Sequence, residues 1–319
     1  MTNDRIAIAA LVIAFPLAFL ATGNSFYQSI LIYAAINSIA AIGLCLIFGL
    51  AGQISLAQAA FVGIGAYGAA IACDTLRLDS TIAIVVGAFC AMAVGWVVSR
   101  PLSRLHDHYL AMGTLAFGVI AYILFANVSV ITGGLDPGIT ISRYRIAGWD
   151  LPKSNDLFWV CWAFLIVSAV LASNIASSKI GRSLRAMKMS EAAAQSVGVD
   201  CVRAKAIVFA LGALLAGVSG GLYANFSRSF NASSFGFSYS IDLLMMVIVG
   251  SLQRVSGAIF GALIITILPL VLDQAEDSKT LVFGVLMVLV VKYAPNGLID
   301  TIVSLGLRMR SSRPFRTAG

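Results

Sequence analysis

The sequence predicts an all-α integral membrane protein of about ten transmembrane helices, with one short helix on its cytoplasmic side. Three observations carry this. Of 319 residues, 60% are apolar and 11% are charged, where soluble domains carry about a quarter charged residues. Apolar runs close to the ~20 residues that cross a bilayer as a helix recur along the chain, without the ~10-residue alternation of a membrane barrel. The basic residues cluster between apolar runs. No polar segment is long enough to form a separate soluble domain, so residues 1–319 read as one transmembrane unit.

Taken in order, spans are expected at 6–22, 30–49, 53–72, 81–99, 109–131, 158–175, 206–225, 239–250, 257–272 and 280–293. The first follows Arg5 and contains Pro16. It is long enough to span and reads as a retained helix, with a signal peptide as the alternative. The third, rich in Gly and polar residues, either spans fully or re-enters, and the eighth is short. With the N-terminus inside, fifteen of the 21 Lys and Arg residues fall in cytoplasmic segments and six in external ones. Retention of Lys/Arg-rich loops on the cytoplasmic side supports this orientation and an even number of crossings. Both termini are then cytoplasmic, including the basic tail 294–319.

The loop 176–205 is the most heavily charged interruption. It holds Lys179, Arg182, Arg185, Lys188, Arg203 and Lys205, opposed by Glu191 and Asp200. Ser190 can cap a helix over Glu191–Val197. Glu191 then lies where a helix N-terminus favours negative charge, and Gly198 can close the helix in a left-handed conformation. Asp200 can cap the helix that re-enters the membrane. Two turns are too few to persist in water without a partner surface. Leu184, Met187, Glu191, Ala194 and Val197 follow a helical spacing, which Ser190 can divide into two short helices. Arg185, Lys188 and Gln195 fall on other faces.

The third segment carries Gln53, Ser55 and Gln58, polar groups that are costly in hydrocarbon unless they face protein or a water-filled path. Gly63, Gly65, Ala66, Gly68 and Ala69 form a small-residue surface for close helix approach. Tight packing and the lining of a path are compatible roles. Asp242 is the one acid placed inside a span. It faces the protein interior, faces water at the membrane edge, or is protonated. The external loop 132–157 has turn signals at Gly133, Gly134, Pro137 and Gly138, and loops of such length are often functional.

Other chemistries find little support. The net charge of +7 is dispersed in loops and tail, which a positive-inside bias explains without nucleic acid. Cys45, Cys73, Cys90, Cys161 and Cys201 are scattered and read as small packing residues. His106 and His108 lack the further ligands of a metal site. The sequence contains no GxxxxGK[ST] phosphate loop and no HExxH, so ATP-driven transport would need its nucleotide site on another subunit.

Several stretches resemble the M-type membrane permease subunits of branched-chain amino-acid ABC importers. These are NSIAAIGLCLIFGLAGQISLAQAAFVGIGAYGAA from Asn37, HYLAMGTLAFG from His108, TGGLDPGI from Thr132, and IGRSLRAMKMSEAAAQSVGVDCVRAKAIVFALGALLAGVSGGLYA from Ile180. SIDLLMMVIVGSL from Ser240 and YAPNGLI from Tyr293 continue the match in the same order. The resemblance implies that EAAAQSVG is a coupling helix that docks on an ATPase, with Glu191, Ala192 and Gly198 at the matching positions; Arg185, Lys188 and Ala194 complete the candidate coupling residues. It implies as partners a second similar permease, two cytoplasmic ATPase subunits that bind ATP and Mg, and an extracytoplasmic solute-binding protein. The chain itself would need no cofactor, and its location would be the bacterial inner membrane.

Two departures concern the substrate. Ala57–Gln58 stands where the family commonly has Gly-His, and Gly250-Ser251-Leu252-Gln253-Arg254 replaces a Gly-rich turn. The expected solute is therefore a branched-chain amino acid or a related small polar or carboxylate solute. Asn37, Gln53, Ser55, Gln58 and Asp242 are the candidate path residues. The alternative is an ion-coupled secondary transporter using Asp242, which would want intramembrane acids and broken helices.

Overall fold

The computed structural model describes residues 2–21, 24–105, 107–128, 132–135, 138–141, 145–146, 149–150 and 154–271, with Gly284 and Lys292. The described helices are α1 (Thr2–Ala21), α2 (Ser25–Leu44), α3 (Gln58–Asp74), α4 (Ser80–Leu102), α5 (Asp107–Asn127), α6 (Ser154–Ser177), α7 (Lys179–Met189), α8 (Glu191–Ser196), α9 (Cys201–Ser227), α10 (Phe237–Gly250) and α11 (Val255–Val271). A π-helical turn, Cys45–Leu50, prolongs α2, and a 3₁₀ turn, Ala232–Phe235, precedes α10. Among the described residues, four two-residue strands, β1 (Ile139–Thr140), β2 (Arg145–Ile146), β3 (Trp149–Asp150) and β4 (Ser229–Phe230), make the antiparallel pairs β1–β4 and β2–β3.

Among the described residues, six helical segments are long and apolar enough to cross a membrane: Ser25–Leu50, Ser80–Leu102, Tyr109–Asn127, Asp156–Ser177, Cys201–Ser227 and Ala232–Gly250. Ala7–Leu20 and Val255–Pro269 are shorter apolar helices. Six of the ten expected spans fall on these long segments, 6–22 and 257–272 fall on the shorter apolar helices, and 53–72 falls on α3 and the residues before it. The expected span 280–293 and the tail lie outside the described residues, apart from Gly284 and Lys292.

The third expected span needs the clearest correction. Residues 52–57 are not helical, and α3 begins at Gln58. Its 17 residues reach about 25 Å at 1.5 Å per residue, short of the ~30 Å hydrocarbon core. Hydropathy counted the apolar residues but missed how the broken backbone is satisfied. Gln53 N–H donates to the Ile47 carbonyl at 3.2 Å. Leu56 N–H donates to Thr114 Oγ1 at 3.1 Å, and Ala59 N–H to Ser240 Oγ at 3.0 Å. Each bond removes a polar group that could not stay unpaired in hydrocarbon. The external loop also differs from a structureless connection, because α6 starts at Ser154 and β1 pairs with β4 across it.

Helix α9 is the hub of the bundle, packed on α4, α3 and α2. Small residues make this possible. A Cβ at Gly65 would overlap the Gly217 backbone, one at Gly220 would overlap Val62, and one at Gly87 would overlap Gly65. Without a strong hydrophobic force between helices in lipid, such backbone contact supplies the van der Waals attraction. Helices α4, α5 and α6 instead expose Phe89, Val97, Met112, Ile120, Leu124 and Val167, faces suited to an apolar surround. At the β1–β4 end, Tyr67, Phe125, Tyr223, Phe230 and Phe235 form one aromatic cluster, with ring centroids 4.9–6.5 Å apart.

Candidate coupling site

The basic loop folds as two helices hinged at one serine. Ser178 Oγ accepts from Gly181 N–H and starts α7. Leu184 and Met187 are buried on one face of α7, while the other face is polar. Ser190 ends α7 in an extended conformation and begins α8, its Oγ accepting from Ala193 N–H at 3.3 Å. Glu191 follows in the first turn. Val197 caps the other end, Gly198 takes φ +84°, and its N–H returns to the Gln195 carbonyl at 3.0 Å. The expected helix Glu191–Val197 is thus one residue shorter. Asp200 Oδ1 accepts from Arg203 N–H at 3.0 Å and starts α9.

Two contacts tie this loop to the bundle. Glu191 forms an ion pair with Lys205 of α9. Lys205 is 6% exposed. Lys188 Nζ donates to the Gly49 carbonyl at 2.9 Å, an acceptor in the π-helical end of α2 next to the point where the chain leaves the helix. The loop therefore grips both the start of α9 and the end of α2. Ala194 is buried beneath α8, so it packs inward. Ala192, Gly198 and Gln195 are exposed, Arg185 is half-buried, and the apolar Met189 and Val197 are 87% and 76% exposed.

The sequence placed Glu191 and Lys188 toward a partner; the structure gives each a bond within the chain. Lys205 was missed as the partner of Glu191. Its signal lay in the spacing Cys201, Lys205, Val208, Phe209, a stripe at i, i+4, i+7, i+8 whose four members are all buried. A lysine in a buried stripe calls for an acid.

The candidate path residues have different surroundings. Asn37 bridges two other helices: Nδ2 donates to Thr266 Oγ1 at 3.1 Å, and Oδ1 accepts from Tyr239 OH at 2.9 Å. Gln58 Nε2 reaches the carbonyls of Ala40 in α2 and Gly212 in α9 at 3.3 and 3.4 Å. Ala40 lies four residues before Leu44, so the Gln58 side chain meets α2 about 6 Å in from its end at 1.5 Å per residue, with the π-helical turn beyond. Ser55 is fully buried, and its Oγ has no partner among the described residues. Gln53 is buried beside the coupling loop. Asp242 is half-buried in α10 and takes part in no ion pair among the described residues.

The broken segment separates two cavities. Ala51, Gly52, Gln53 and Ile54 line one of about 930 Å³, together with Lys188, Glu191 and Lys205. Leu56, Ala59 and Ala60 line another of about 270 Å³, together with Tyr122, Phe235 and Ser240. A discontinuous segment between two cavities in a glycine-packed bundle, with a capped helical loop at one end, defines a multi-pass membrane transport subunit.

The chain belongs to the family described as branched-chain amino acid transport system / permease component, whose model matches residues 26–291. It is 29% identical over 281 residues to the high-affinity branched-chain amino acid transport system permease protein LivM of Escherichia coli K12, covering 81% of this chain and 66% of the relative. LivM of Salmonella typhimurium is 29% identical over 315 residues, covering 92% of this chain and 74% of that one. The probable branched-chain amino acid transport permease protein LivH of Methanocaldococcus jannaschii is 25% identical over 283 residues, covering 84% and 88%. No solved structure matches the chain.

Proposed function

We propose that this chain is a permease subunit of an ATP-driven importer. It forms part of the translocation path for branched-chain amino acids or a related small polar or carboxylate solute. The observation that carries this is the loop of α7 and α8, fixed to α9 by Glu191–Lys205 and to α2 by Lys188–Gly49. A partner that moved the exposed Met189–Val197 surface would pull directly on the helix at the centre of the bundle. The proposed partners are two cytoplasmic ATPases that bind ATP and Mg, a second similar permease, and an extracytoplasmic solute-binding protein. The loop then faces the cytoplasm of a bacterial inner membrane, with both termini on that side, as the distribution of basic residues favours.

ATP closes the ATPase pair, and the coupling loop shifts the balance between outward- and inward-facing states. The broken segment at residues 52–57, with a cavity on each side, is the proposed gate. Uptake of labelled leucine by cells carrying the whole system tests this reading. Depletion of ATP at preserved membrane potential should stop uptake. Continued uptake under those conditions would contradict the reading and favour ion coupling through Asp242.

A further inference from the structure

We propose that the pocket between the end of α4 and the start of α9 holds the phosphate headgroup of an anionic phospholipid. The pocket measures about 420 Å³, within the roughly 300–1,000 Å³ of small-ligand sites. Arg100 and Arg104 line it from the end of α4 and the turn after it, and Arg203 from the first turn of α9. Asp200 is the one acid in the lining. Its Oδ1 already accepts from Arg203 N–H at 3.0 Å in capping α9. None of the three guanidiniums forms an ion pair among the described residues.

Three cations against one carboxylate leave the hollow positive, which favours an entering anion. Guanidinium also matches phosphate geometrically, through paired N–H donors. The Arg100 guanidinium lies over Trp96, 5.7 Å from the ring centroid. That contact uses the face of the cation and leaves its N–H edges for an acceptor.

Position favours a lipid over a free phosphate. Helix α4 exposes Ile82, Val85, Phe89 and Val97, a stripe at helical spacing that leads to Trp96 and Arg100. An apolar track ending in an interfacial aromatic and then a cation follows the order of acyl chain, interface and headgroup in a phospholipid. The pocket lies at the end of the bundle that carries the basic loop, and basic pockets between transmembrane helices on the cytoplasmic side bind anionic headgroups. A bound headgroup joins Arg100 of α4 to Arg203 of α9. Arg203 stands two residues before Lys205, the partner of Glu191, so the lipid braces α9 where the coupling loop holds it.

The experiment uses the chain purified in mild detergent with the subunits that accompany it, and native mass spectrometry with added phosphatidylglycerol. Saturable binding is expected, with phosphatidylcholine at least ten-fold weaker. Arg100→Gln/Arg203→Gln should weaken phosphatidylglycerol binding about ten-fold. Lys179→Gln/Arg182→Gln, which removes the same charge from exposed positions of α7, should leave it unchanged. Equal affinity in wild type and the Arg100/Arg203 variant would overturn the site. An equal loss in the α7 variant would also overturn it, since general surface charge would then explain the binding. Displacement of the lipid by inorganic phosphate at the same concentration would overturn the lipid assignment in favour of a soluble anion. Intact lipid binding with lost ATPase recovery in the Arg100/Arg203 variant would overturn it too, giving the pocket to a protein partner.

Discussion

Lys205, buried at the start of α9, holds the carboxylate of Glu191 at the head of α8. The pair joins a largely exposed helix to the helix at the centre of the bundle. Glu191 therefore acts first as an anchor of the coupling helix within its own subunit.

Glu191→Lys places two lysines together and should abolish coupled uptake while leaving membrane insertion normal. Removing one partner of a fully buried pair costs about 3–5 kcal/mol. Here the cost should be smaller, roughly 1–3 kcal/mol, because the Glu191 side chain is 37% exposed. The reciprocal Glu191→Lys/Lys205→Glu exchange should recover much of the lost uptake. Uptake measured beside expression level checks both, and wild-type transport by the single variant would count against the anchor.

Val197 and Met189 expose apolar surface on either side of α8. Val197→Asp should lower the recovery of ATPase with the tagged permease about ten-fold, with little effect on stability, because Val197 is a surface residue. Quantitative blotting of the purified complex reads the change. Undiminished recovery would move the docking surface elsewhere.

The helices at Gly65, Gly217 and Gly220 touch through backbone atoms. Gly220→Leu forces a side chain into the Val62 backbone and should prevent folding, since overpacking alone costs about 1–3 kcal/mol and backbone overlap costs more. Size-exclusion profiles in detergent should show loss of the monodisperse species. A normal profile would mean that α3 and α9 separate easily.

Much of this was legible in the sequence. The caps at Ser190 and Asp200 and the glycine closure at Gly198 use local rules, and they stand in the structure within one residue. The segment break at 52–57 was less legible. A polar-rich apolar window looks alike whether its backbone is helical or pinned by Thr114 and Ser240, which are distant in sequence. The same holds for Asn37, whose partners Tyr239 and Thr266 lie more than 200 residues away in sequence. The ion pair at Lys205 depends on how the loop folds back, which spacing alone does not report.

Asp242 separates ATP coupling from ion coupling. It takes part in no ion pair among the described residues, and proton relays in membranes are usually chains of ionisable groups. Asp242→Asn should keep at least half of wild-type uptake. Complete loss in a folded variant would restore the proton-coupled alternative.

A separate ATPase is proposed to drive this permease through the loop of α7 and α8. The most direct measurement is affinity purification of the tagged wild-type chain in mild detergent, followed by mass spectrometry of its companions. Recovery of P-loop ATPases with a second permease is the predicted result. A folded, monodisperse chain that reproducibly emerges without them would contradict it.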